Sequence, residues 1–139
     1  MLNAYATLAL GYDLGARPRF TGCAENEMPA WLTGGEEGLE LADVDFDDAA
    51  RRRLQAAGLT AHRANESGSR VFTYGGNDDD PSFILAVKVL ETDANTATPV
   101  PDLAPPDDWE RQLAVAVKVL GLDVGEAKAG WLLAPYASF

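Results

Sequence analysis

The chain has 139 residues, 47% of them hydrophobic, and 22 acidic residues set against 11 basic ones give a formal net charge of -11. That length and composition fit one domain with a sizeable core, and the periodic apolar blocks exclude a chain disordered throughout. The acid excess disfavours nucleic acid and anionic membranes, both of which bind through Lys and Arg.

Basic protein surfaces and cations are the partners such a charge attracts, although charge can also serve solubility alone. Cys23 is the only cysteine, so no internal disulfide forms, which suits a reducing cytoplasm. The first ten residues lack a basic leader region and read as a strand rather than a signal peptide. No apolar run approaches the roughly 20 residues that span a bilayer.

Ala4 to Leu14 reads as the first strand, closed by Gly15 and Pro18. Residues 16–44 are rich in Gly, Pro and acids with little periodicity, so they read as a long acidic loop that is functional or hides a short element. Trp31 and Leu32 are expected to tuck this loop against the core. A first helix is predicted from Phe46 to Ala57, with Asp45 as N-cap, Asp47 and Asp48 in the first turn and Gly58 past its end. Its buried stripe is Phe46, Ala49, Ala50, Leu54 and Ala57.

Ser69–Tyr74 and Ser82–Glu91 then read as an antiparallel hairpin around the turn-forming residues 75–81, the second strand being apolar enough for a central position. Residues 93–106 hold four prolines and read as an extended connection. A second helix is predicted from Asp107 as its cap and Glu110 as the capping-box partner to Gly121, burying Trp109, Leu113, Ala116, Val117 and Leu120. A last strand covers about Gly130 to Ala137. The order is β-α-β-β-α-β, and two helices on one face of a four-stranded antiparallel sheet would bury both stripes, an α+β fold of ferredoxin-like arrangement.

Catalytic and cofactor chemistry is poorly supplied. His62 and Cys23 are the only histidine and cysteine, and Cys23 sits beside Glu25 and Glu27, whose charge opposes a thiolate. Zinc would lack its usual four ligands. Counting a calcium loop from Asp43 puts Asp48 where an EF-hand needs glycine and Leu54 where it needs glutamate. Asp78, Asp79 and Asp80 suit a turn as well as a weak cation site. Gly34-Gly35 runs into Glu36-Glu37, which would repel a phosphate, and no dinucleotide or P-loop pattern occurs. No catalytic residue, cofactor or metal is therefore assigned.

The acidic stretch remains. From Phe20 to Ala50 there are nine acids and no Lys or Arg, with Met28, Trp31, Leu32, Leu39 and Leu41 interleaved. Such a run is either a solvated face or a surface of apolar anchors and charged rim for a basic partner. The candidate partner-binding residues are Trp31, Glu36, Glu37, Glu40, Asp43, Asp45, Asp47 and Asp48.

Gly11-Tyr-Asp-Leu-Gly15, Trp31-Leu-Thr-Gly-Gly-Glu-Glu-Gly38, the acidic entry into an Ala- and Arg-rich helix, and Gly130-Trp-Leu-Leu133 resemble small acidic proteins of actinobacterial phages. No functional residue carries over from that likeness. It implies expression in the cytoplasm of an infected bacterium and a small protein that binds and blocks a host factor. The charge and the acid run make the expected protein non-enzymatic and its partner's surface basic, such as that of a factor that handles nucleic acid. Two other readings stay open. One is a carboxylate-using enzyme or ligand-binding domain with Tyr12, Trp31 or Tyr74 in its pocket. The other is a virion or assembly component.

Overall fold

A computed structural model describes residues 6–60, 68–75, 81–91, 105 and 107–137. Its elements are β1 (Ala6–Gly15), α1 (Ala30–Thr33), a single 3-10 turn (Leu41–Asp43), α2 (Phe46–Ala56), β2 (Arg70–Tyr74), β3 (Ser82–Glu91), α3 (Trp109–Leu120) and β4 (Gly130–Pro135). They form one α+β domain around an antiparallel sheet ordered β2-β3-β1-β4. β1 and β3, the most apolar strands, take the centre, where both edges are paired.

The expected hairpin of β2 and β3 is present, with Tyr74 opposite Ser82. Its turn acids Asp78, Asp79 and Asp80, the proline-rich connection apart from Pro105, and His62 lie outside the described residues.

Helices α2 and α3 cover one face. Phe46, Ala50 and Leu54 from α2 and Leu113, Ala116 and Leu120 from α3 meet Leu10, Phe83, Leu85 and Val87 from the sheet. Ala57, expected in the α2 stripe, lies past the last helical turn and is exposed. α2 ends before Gly58, and α3 ends on Gly121; both glycines hold positive φ (73° and 65°).

Capping differs from the sequence pattern. Asp45 stands at the N-cap of α2 without making a side-chain cap bond. At α3 the N-cap is Asp108, not Asp107, and its left-handed backbone (φ 64°) leaves it without a cap bond too. Two adjacent aspartates offer the same local chemistry, and the backbone angle at Asp108 decides where the helix begins. The reading of two helices also gains a third, because α1 lies inside the long acidic segment.

The opposite face of the sheet is apolar as well. Ala9, Phe72, Ile84, Ala86 and Ala134 are all at most 2% exposed, with Tyr74, Val89, Leu132 and Ala137 packed beside them. Register shifts at Leu10/Gly11 and Asp13/Gly15 bend β1 against β3. The Gly75 N–H donates to the Pro135 carbonyl at 3.0 Å. Gly75 follows the end of β2, level with the start of β3, whereas Pro135 pairs with the start of β1. These are diagonally opposite corners of the sheet, so the sheet coils until they meet. Small side chains at 9, 86 and 134, and none at Gly11, let the concave side close that far.

Tyr74 completes this side by donating its hydroxyl to Asp13 Oδ1 at 2.8 Å. Burial and then the Asp13 carboxylate raise the Tyr74 pKa above its ordinary value.

Candidate functional site

The acidic segment is moored at its N-terminal end beside the exit of α3. Phe20 bridges to Leu122, Thr21 N–H donates to Gly121 O at 2.8 Å, and Asp123 N–H donates to Arg19 O at 2.9 Å. From there an aromatic chain runs into the core. Trp31 meets Phe20 edge-on (6.2 Å), Phe20 meets Phe46 (5.9 Å), and Phe46 meets Phe83 (5.1 Å). Edge-to-face contacts at such spacings add to the area these rings bury.

Pro29 precedes α1, and Gly34 ends it in the left-handed region after one turn. That single turn buries Leu32 and lays Trp31 against the core, as the interleaved hydrophobics imply. Arg53 from α2 stacks its guanidinium 4.9 Å from the Trp31 ring centre and donates Nε–H to Val119 O at 2.7 Å. One side chain thus ties α1, α2 and α3 together.

Beyond α1 the chain turns back through Gly35 and Gly38, both at positive φ. Between this turn and the approach to α1 lies an open cleft of about 520 Å³. Glu27, Glu36 and Glu37 supply its carboxylates, while Met28 and Leu39 supply its apolar lining. All three glutamates are exposed. Glu27 spends one oxygen on the Ala24 N–H at 3.0 Å.

The remaining acids serve the entry to α2. Glu40 and Asp43 form a reciprocal capping box on the 3-10 turn, with Glu40 N–H donating to Asp43 Oδ2 at 2.8 Å. Asp47 has its pKa raised to about 6, first by a hydrogen bond with the Asp45 carboxyl, then by burial and by the Asp45 charge. Asp48 pairs with Arg51 and, at 2.9 Å, with Arg52. Among the described residues it is the one acid of the segment with a cationic partner.

The eight candidates named from the sequence therefore do not form one constellation. Glu36 and Glu37 belong to the cleft, Trp31 is turned toward Phe20 and Arg53, and Glu40 to Asp48 organise a turn and a helix start. Glu27, Met28 and Leu39 are the acidic and large apolar cleft residues that the candidate set omits. Their signal was the recurrence of acids and large apolar residues on both sides of α1. Arg53 is legible only in retrospect, four residues after Ala49 on the flank of the buried stripe.

A second cleft of about 400 Å³ opens at the start of α3, lined by Asp107, Asp108, Trp109, Glu110 and Arg111. Neither cleft is lined by Tyr12, Trp31 or Tyr74. Tyr12 packs on the helix-covered side and Tyr74 on the concave side, so these rings do not converge. No three His, Cys, Asp or Glu side chains among the described residues come together as a metal site. None of the described helices is long and apolar enough to cross a membrane.

Comparison with known proteins returns no matching family model, no matching curated protein and no matching solved structure.

Proposed function

We propose that this chain is a non-enzymatic binding protein whose acidic cleft docks on a basic protein surface. The observation that carries the reading is the set Glu27, Glu36 and Glu37, which stand exposed around Met28 and Leu39 with no cationic partner among the described residues. Carboxylates used for helix starts or internal pairs are consumed by the fold; Glu36 and Glu37 are not, and Glu27 keeps one oxygen free of its bond to the Ala24 N–H. Apolar stems of Lys or Arg would lie on Met28 and Leu39 while their charged heads reach the glutamates.

In this reading the resemblance to phage proteins makes the partner a host factor, one whose basic surface ordinarily meets nucleic acid, in the bacterial cytoplasm. The sheet order β2-β3-β1-β4, with β1 and β2 parallel on either side of β3, supports a ferredoxin-like arrangement as the scaffold.

Affinity capture from a bacterial lysate tests the proposal. Wild type should retain a basic protein that elutes in moderate salt, and the Glu27→Lys/Glu36→Lys/Glu37→Lys variant should lose it. Equal retention by the reversed variant would sink the idea.

The cleft volume favours one second reading, a small-ligand site, because pockets for such ligands start near 300 Å³. A cationic metabolite bound by the isolated protein in calorimetry, with no protein captured, would select it.

A further inference from the structure

We infer that residues 135–137 act as a strap that closes the coiled sheet along its diagonal and opens before the rest of the fold. Three observations place it. The Gly75 N–H to Pro135 carbonyl bond joins corners that no strand pairing connects. Ala137, just beyond, packs against the concave cluster of Ala9, Phe72, Ile84, Ala86 and Ala134. Between the two, Tyr136 holds a left-handed backbone (φ 50°) and is 44% exposed, and Gly75 across the seam is at φ 99°.

A non-glycine residue in that region is strained, and an exposed ring offers little packing to offset it. Pro135 has no N–H, so the β1–β4 ladder stops there and the strap continues without it. Among the described residues, one hydrogen bond and one small apolar contact thus oppose the strain at Tyr136. Opening withdraws Ala137 from the cluster and frees the seam, while β1, β3 and both long helices keep their contacts.

Native-state hydrogen exchange on the whole chain tests this by NMR. The Gly75 amide should be protected at least about 100-fold less than the Leu85 amide in central β3, since local openings lie far below global unfolding. Tyr136→Gly removes the strain and should raise Gly75 protection about threefold, after the glycine's extra freedom in the open state is discounted. Tyr136→Val places a β-branched residue at a positive φ and should lower it about tenfold, with the gap between Gly75 and Leu85 kept because local and global opening relieve the same strain. Gly75 exchanging at the rate of Leu85 overturns the proposal. So does Gly75 exchange that neither substitution alters.

Discussion

Gly11 and Gly130 face each other across β1 and β4, yet alanine should behave very differently at the two positions. At the bulge, Leu10 pairs with Lys88 and Gly11 with Ala86, leaving Val87 as the extra residue and bringing β3 backbone over Gly11. A Cβ at position 11 would overlap the Leu85 carbonyl oxygen and stand 2.7 Å from Ala86 Cα and 2.8 Å from the Leu85 carbonyl carbon. Ordinary contacts begin at 3.4 Å, and every atom in the way is backbone, so no rotamer change relieves the clash. The two central strands must part by more than about 1 Å to clear the Leu85 carbonyl oxygen, or the bulge must rearrange.

Overpacking of a rigid core costs about 1–3 kcal/mol, and a backbone clash belongs at or above the upper end. For a domain of this size, about 3 kcal/mol corresponds to a melting temperature lower by about 10 °C. At Gly130 a Cβ meets nothing within 4 Å. Gly130→Ala should therefore stay within about 0.5 kcal/mol of wild type. Urea and thermal unfolding of the two variants measure the difference. Gly11→Ala as stable as Gly130→Ala would refute the close approach and, with it, the coiled sheet.

Three further outcomes follow from the core and the entry to α2. Phe46→Ala removes the middle of the aromatic chain and should cost about 3–5 kcal/mol in urea unfolding. Arg53→Met keeps the apolar stem but loses the guanidinium over Trp31 and the bond to Val119 O; about 1 kcal/mol is expected, with faster amide exchange in α1. Asp47 titrates near 6 when folded and near its ordinary value of about 4 when unfolded, so its proton stabilises the native state. That contribution is full below pH about 4 and is lost as pH rises through about 6. Stability of wild type relative to Asp47→Asn should fall across that window; a difference flat in pH would contradict the Asp45–Asp47 contact.

How far the sequence reveals this fold depends on how local each determinant is. β3 and α2 are legible because single patterns define them: a nearly continuous apolar run, and the stripe Phe46, Ala50 and Leu54 before Gly58. α1 is one turn long, too short for any periodicity, and only the apolar character of Trp31 and Leu32 hints that this stretch is packed. The N-cap of α3 turns on the backbone angle at Asp108, which two neighbouring aspartates do not encode separately.

The coil of the sheet is less legible still. It rests on a one-residue shift between β1 and β3 and on a contact between Gly75 and Pro135, far apart in sequence. The acidic site is partly legible for the same reason. Charge excess locates Glu36 and Glu37, but it cannot separate acids that face solvent from those that, like Glu40 and Asp43, close their own turn.

The most direct test of the binding account is an NMR titration of the isotope-labelled protein with an arginine- and lysine-rich peptide. The account predicts shift changes concentrated at Met28, Thr33 and residues 35–39, removed by about 0.5 M salt and absent in the Glu27→Lys/Glu36→Lys/Glu37→Lys variant. Changes spread evenly over exposed acids such as Glu110, Asp123 and Glu126, or none at the cleft, would contradict it and leave the charge to solubility.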